Sequence, residues 1–292
     1  MLTLGQPFIG QSTLGQALAA ELPFPVPAPA TYVPEAPPPL FPPSVLPALP
    51  FLPPGLVVTV GAGAEAANSF PGAKTYTGFP IPYFDWRKPG DPLPFHAPDD
   101  GFGIALLDFG MFRAGPVGRY VAQRDLSNGN ANFVGLPNVA TTIELGGFVE
   151  FWPTDFLRGR VEVRQGINGH NGLHGNIEAD AVGLYGPWLL SLGPRAEFGN
   201  DQFMQSYFSV TPAEAAINGR VTPYAASGGL TSVGFLASAK YTFSPSWSVV
   251  GFAGYNRLVD SAAASPITNN LGSKNDFIGG AILEYSFSIG TP

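Results

Sequence analysis

Cysteine is absent from all 292 residues, which removes disulfides, thiolate metal sites and thiol nucleophiles together. Charge is scarce, at 12% of residues, and the balance is acidic, with a formal net charge of −7. A nucleic-acid partner leans on clustered Lys and Arg; no such cluster occurs, so none is expected. Long apolar runs are missing too. Uncharged stretches are broken by Pro or Gly before they reach the roughly 20 apolar residues of a spanning helix, so the sequence carries no transmembrane helix. What it has in quantity is 37 Gly, 32 Pro and 23 Phe, a mixture suited to many short strands and turns.

The chain opens on two segments that read as non-globular. Residues 1–20 include Ala17-Leu18-Ala19, similar to a small-x-small cleavage site, but the first positive side chain is Lys74, so the basic region of an export signal is missing. A degenerate signal and an ordinary disordered tail both fit. Residues 21–55 form a Pro-rich linker, with 14 of the 32 prolines between Leu22 and Pro54. Each proline removes a backbone donor and fixes one dihedral, so an extended, disordered leader is expected, either a spacer or a tether for a partner.

After Gly55 a two-residue period takes over. In Phe277 to Phe287, one face reads Phe277, Gly279, Ala281, Leu283, Tyr285 and Phe287, wholly apolar, and the other is mixed. Leu157 to Gln165 sets Leu157, Val161 and Val163 against Arg158, Arg160, Glu162 and Arg164. Glu144 to Trp152 sets Leu145, Val149 and Phe151 against Glu144, Phe148 and Glu150. If these two pair across Pro153-Thr154-Asp155-Phe156, Glu150 falls opposite Arg158 or Arg160, and Glu144 opposite Arg164. A solvated charged face and a charged lumen both stand as readings. Complementary signs favour the lumen, where side chains have to pair.

Eight further segments follow the same period: Leu56 to Glu65, Tyr76 to Arg87, Gly101 to Phe109, Phe112 to Asp125, Gly175 to Leu184, Trp188 to Glu197, Thr231 to Phe243 and Trp247 to Leu258. Short and long connections alternate back from the C-terminus, and the parity then calls for one more strand between Lys88 and Asp100, with Leu93 to Pro98 as its candidate. The expected fold class is all-β: a single antiparallel transmembrane β-barrel of about 12 strands (10–14) over residues 56–287, with a disordered Pro-rich leader before it and a tail at 288–292.

Several motifs, in order, carry a family resemblance: Phe79-Pro80-Ile81-Pro82-Tyr83-Phe84-Asp85-Trp86-Arg87; Ala114-Gly115-Pro116-Val117-Gly118-Arg119-Tyr120 with Arg124-Asp125; Glu144-Leu145-Gly146-Gly147-Phe148-Val149-Glu150; and the run Phe203 to Thr211. Tyr255-Asn256-Arg257-Leu258, Asp260, Ser265-Pro266-Ile267 and Tyr285-Ser286-Phe287 complete it. Over Val57 to Phe287 the chain resembles the MipA/OmpV family of outer-membrane proteins. The resemblance implies an outer-membrane barrel acting as a scaffold between a lytic transglycosylase, a murein hydrolase, and a penicillin-binding protein. It brings no catalytic residue. Residues Ser288 to Pro292 after the closing aromatic, and the long leader, depart from the family pattern.

No constellation for chemistry emerges from the residues. His170 and His174 stand four apart, a metal-binding spacing on a helix, but the glycines around them point to a surface loop. His96 stands alone among prolines. Ser206, Asp108 and Asp180 lack the surroundings of a hydrolase. The expectation is therefore a non-enzymatic protein without metal or cofactor, in contact with outer-membrane lipid. Lumen charge pairing is assigned to Glu144, Glu150, Arg158, Arg160, Glu162 and Arg164. A small-solute porin is the alternative function.

Overall fold

Strict alternation of apolar and polar residues gives each segment one face for lipid or core and one for the opposite side, and the chain folds accordingly into strands. The computed structural model describes residues 55–88, 91, 95–126 and 131–289. Residues 1–54 and 290–292, with the signal, the leader and the end of the tail, lie outside the described residues.

Twelve strands form one antiparallel sheet. They are β1 (Leu56–Asn68), β2 (Tyr76–Arg87), β3 (Phe102–Gly103), β4 (Leu107–Asp108), β5 (Phe112–Val121) and β6 (Thr142–Thr154). β7 (Leu157–Ile167), β8 (Leu173–Tyr185), β9 (Trp188–Gly199), β10 (Gly229–Thr242), β11 (Trp247–Leu258) and β12 (Asn275–Ile289) complete it. β12 runs two residues past Phe287, into the expected tail. Neighbours follow chain order, and β1 pairs with β12, so the two ends of the strand region meet and the sheet curls into a half-barrel. Its path starts at β2 and ends at β3, with no ladder between those two among the described residues.

β2 is built as an end strand. Its ladder to β1 is continuous through Pro80, opposite Ala64, and Pro82, opposite Ala62. The nitrogens of both prolines must therefore face away from β1, and the free edge of β2 lacks two donors, as suits a strand with no further partner.

Of the expected twelfth crossing at Leu93 to Pro98, residues 92–94 lie outside the described residues. The rest, Phe95 to Pro98, is irregular and forms no strand, with Phe95 and Ala97 buried, Pro98 half-buried and His96 exposed. The crossing is made instead by an interior segment, Phe95 to Gly101. Phe95 packs edge-on against Trp152 with ring centroids 6.3 Å apart, near the short-turn end, and Gly101 N–H donates to Glu162 Oε1 at 3.1 Å, well up the wall. The physical reason is chemical: the segment has prolines in place of ladder donors, and Asp99 and Asp100 find arginines inside. The expected strand Gly101 to Phe109 is interrupted into β3 and β4. Ile104 and Leu106 still donate to Pro116 and Ala114 carbonyls, and a Cβ on Gly115 would sit 1.9 Å from the Ile104 carbonyl oxygen.

Connections at one end are short: 109–111, 155–156, 186–187 and 243–246. At the other end the long ones carry helices: α1 (Asp201–Phe208) and α2 (Pro212–Asn218) between β9 and β10, and α3 (Asp260–Ala264) between β11 and β12. Asn200 caps α1 by accepting from Phe203 N–H, Thr211 and Glu214 form a capping box on α2, and Gly219 ends α2 at φ 69°.

The barrel is inverted relative to a soluble sandwich. Val149, Val161 and Ile177, cross-strand neighbours on β6, β7 and β8, are 52%, 41% and 51% exposed, while Arg160 on the other face is 4% exposed. A contiguous apolar outer surface of this kind marks a membrane-facing wall. Trp86, Phe112, Phe156, Tyr185, Trp188 and Trp247 are exposed near the short-turn end, where an aromatic girdle meets the interface. Val161→Arg, mid-strand on this face, is expected to destabilise the protein by ~2–4 kcal/mol, against ~0–1 kcal/mol for Tyr185→Arg near the interface. Urea titration of folding in lipid vesicles measures both. Equal costs would remove the depth dependence that a membrane imposes.

Candidate functional site

The inward faces of β5 to β9 carry the polar network that distinguishes this interior. Strand period alone puts Glu144 and Glu150 of β6, Arg158, Arg160, Glu162 and Arg164 of β7, Glu178 and Asp180 of β8 and Arg195 of β9 on one side, and all are buried. Register then decides who meets whom. Glu150 stands directly opposite Arg160, while Glu144 stands opposite Gly166 and meets Arg164 diagonally.

At the short-turn end, Glu150 Oε2 lies 2.9 Å from Arg158 Nε and 3.3 Å from Arg160 Nη1, and Glu150 Oε1 accepts from the Trp152 indole at 2.8 Å. Arg158 also reaches Asp180 Oδ2 at 2.9 Å and Asp100 Oδ2 at 2.6 Å. Arg195 joins Asp180 Oδ1 at 2.9 Å to Asp99 Oδ2 at 2.7 Å. The interior segment is thus tied to the wall by its two aspartates, and Arg158 stacks over the Phe95 ring with its guanidinium carbon 5.4 Å from the centroid. Arg119 of β5 adds a bond to the Asp99 carbonyl.

Toward the loop end, Arg160 Nε donates to Glu162 Oε1 at 2.8 Å, Arg164 bonds Glu162 Oε2, and Arg164 Nε donates to Glu144 Oε2 at 2.8 Å. Glu144 Oε1 lies 3.1 Å from both His170 Nε2 and His174 Nδ1. These histidines are therefore not in a surface loop: His170 is 1% exposed and His174 9%. The 168–172 turn folds inward because Glu144 is there to meet them, which spacing along the chain does not reveal. His96 also has a neighbour, with Nε2 3.6 Å from Asp85 Oδ1 of β2.

Above the histidines the long loops pack as a lid with its own core. Phe203 of α1 stacks on His174 with centroids 4.3 Å apart and meets His170 edge-on at 5.0 Å. Met204, Tyr207, Phe208, Val139, Leu258 and Ala262 surround it. Arg124 is buried at the centre of the lid and donates to the carbonyls of Tyr207 at 2.7 Å, Ser206 at 2.9 Å and Pro137 at 2.9 Å, closing the C-terminal turn of α1. Burial pushes the Arg124 guanidinium down to about 10 and the Tyr207 hydroxyl up to about 12.

The chemistry open to this arrangement is electrostatic cross-linking. Asp99, Asp100 and Glu178 bring oxygens within 4.8 Å of one another, yet Arg158 already touches Asp100 and Glu178, and Arg195 holds Asp99. Asp180 is engaged by two arginines, Asp108 pairs with Arg113 at 3.2 Å near the surface, and Ser206 donates to the Gln202 and His170 carbonyls in the lid. Asp99 and Asp100 escaped sequence reasoning, because they sit on no periodic element. Glu178, Asp180 and Arg195 carried the strand period, and their register alone was missing.

Among solved structures the chain is similar to an outer-membrane channel from Pseudomonas putida F1, at 12% identity and TM-score 0.43, covering 81% of this chain and 97% of that one. It is also similar to LpxR from Salmonella typhimurium, at 10% identity and TM-score 0.36, covering 78% and 99%. A third is the outer-membrane channel DcaP of Acinetobacter baumannii, at 10% identity and TM-score 0.32, covering 80% and 96%. No curated protein matches. A family model described as MltA-interacting protein MipA matches residues 60–287, almost the whole strand region, and the chain belongs to this family of outer-membrane β-barrel proteins.

Proposed function

We propose that the protein is a non-enzymatic outer-membrane scaffold that holds periplasmic murein enzymes at the membrane, a murein hydrolase and a penicillin-binding protein. The observation that carries this reading is the filled interior. Pairing of Glu144, Glu150, Arg158, Arg160, Glu162 and Arg164, joined by the segment Phe95 to Gly101, leaves the lumen occupied by protein, and the lid packs over its loop end. A barrel filled in this way serves by what it presents outside its lumen. β1 begins at Leu56, level with the short turns 155–156 and 243–246, and that side is the docking face. The family description, MltA-interacting protein, supports a murein hydrolase as one partner.

A small-solute channel is the second reading. One observation favours it: the interior segment is held by side-chain ion pairs rather than by a strand ladder, so its displacement would free space without breaking the wall. Crosslinking and pull-down from membranes, run beside planar-bilayer conductance of the purified protein, separates the two. Recovery of murein hydrolases or synthases from a non-conducting protein is the expected result. Steady conductance with no such partner would replace the scaffold with the channel.

A further inference from the structure

A cavity on the loop end, apart from the interior network, combines features of a ligand site. Three loops and the turn after α2 converge on it: 69–75, the turn Ala131–Phe133, Arg220, and the turn Ile267–Leu271. Its volume is about 330 Å³. The floor is apolar, with Phe70 edge-on to Phe133 at 5.8 Å between centroids. The rim is cationic. Among the described residues Lys74 forms no ion pair, and the Arg220 guanidinium bonds the Asn132 side-chain oxygen and pairs with no carboxylate. The rim is also held in place: Asn270 Nδ2 donates to the Arg220 carbonyl at 2.9 Å, and Asn218 Oδ1 accepts from Arg220 N–H at 3.2 Å. Two cations without an ion-pair partner among the described residues, over an aromatic floor in a chain with net charge −7, are a local reversal of the protein's sign.

We propose that this cavity binds an anionic saccharide, its phosphate or carboxylate between Lys74 and Arg220 and the apolar face of its sugar ring on Phe70 and Phe133. The guanidinium, on a backbone held at both its N–H and its carbonyl, supplies a planar pair of donors for such an anion, and the ammonium adds a point charge. The Asn270 amide, with its oxygen and its second Nδ2 hydrogen, offers an acceptor and a donor to ring hydroxyls. An apolar pocket with few convergent polar groups is the general form of a small-ligand site. On the loop face of an outer-membrane barrel, such a group comes from a free sugar phosphate or from the phosphorylated sugars of a lipid headgroup, and the two share this chemistry.

The test is calorimetric titration of the full chain in detergent with glucose 6-phosphate, glucose and inorganic phosphate, and separately with detergent-dispersed phosphorylated glycolipid. Glucose 6-phosphate is expected to bind saturably, more tightly than either fragment. The double variant Lys74→Gln/Arg220→Gln is expected to weaken it by about tenfold or more, as loss of two charge-assisted contacts gives. Lys88→Gln, just past β2 at the short-turn end, is expected to leave it unchanged. Tighter binding of the glycolipid, abolished by the same double variant, would assign the headgroup as the source. The proposal is overturned if neither sugar phosphate binds saturably, if glucose or phosphate alone binds equally well, or if Lys88→Gln weakens binding as much as the double variant. Unchanged heat-modifiable gel mobility of each variant certifies its fold.

Discussion

Glu150→Lys is expected to destabilise the barrel by ~3–5 kcal/mol or more, the cost of breaking a buried ion pair and leaving a charge uncompensated. Glu150 is buried, and its carboxylate is shared by Arg158 at 2.9 Å and Arg160 at 3.3 Å, with Arg113 at 3.8 Å. An ammonium there would face three guanidinium groups and would leave the Trp152 indole N–H without its acceptor. Glu150→Gln is expected to lose less, since its amide oxygen still accepts from Trp152 and one arginine. Urea titration in lipid vesicles, with heat-modifiable mobility on gels, reads both variants. An unfolding midpoint for Glu150→Lys equal to wild type would mean that this side chain is hydrated, and the filled interior would lose its central support.

How far the sequence announces this structure follows from where the information sits. Tyr76–Arg87 and Trp247–Leu258 are strands with the very bounds that alternation marks, because lipid on one side and a polar interior on the other enforce a two-residue period along the whole crossing. The same period puts Glu144, Glu150 and the four charged residues of β7 on one face. Register was legible to within one pair. Glu150 meets Arg160 directly, whereas Glu144 reaches Arg164 only on the diagonal, since the unbroken ladder that sets Glu150 against Arg160 sets Glu144, six residues back, against Gly166.

Non-periodic parts were silent. The helices of the lid span eight, seven and five residues, too short to print a 3.6-residue signal, and they form because Phe203, Met204, Tyr207 and Phe208 bury against loops distant in the chain. The inward fold of His170 and His174 depends on Glu144, and the interior course of Phe95 to Gly101 depends on Arg158 and Arg195. Both are tertiary facts. A parity argument detected that a crossing was missing but had to name a strand for it, since strands are the usual way across.

Replacing Phe95 to Asp100 by a Gly/Ser linker of equal length is expected to convert a silent protein into a conducting one. The segment holds to the wall through Asp99 with Arg195, at 2.7 and 3.2 Å, through Asp100 with Arg158, at 2.6 Å, and through Phe95 beneath the Arg158 guanidinium and against Trp152. None of these contacts is part of the strand ladder, so their removal leaves the pairing of β5 through β9 intact. Arg158 keeps Glu150 and Asp180, and Arg195 keeps Asp180, so neither guanidinium is left buried without a carboxylate. What changes is occupancy: space held by a buried aromatic ring and two aspartates becomes available to water, and water beside fixed charges carries ions. Planar-bilayer recordings on the folded variant should show discrete conductance steps where wild type shows none. A second variant, Asp99→Asn/Asp100→Asn, keeps the bulk and removes the charge, and it is expected to flicker between the two levels as the segment loosens. If the linker variant folds and stays silent, the wall side chains and the lid close the lumen by themselves and the segment is only packing. If wild type already conducts steadily, the interior is not filled in the membrane and the channel reading takes the place of the scaffold.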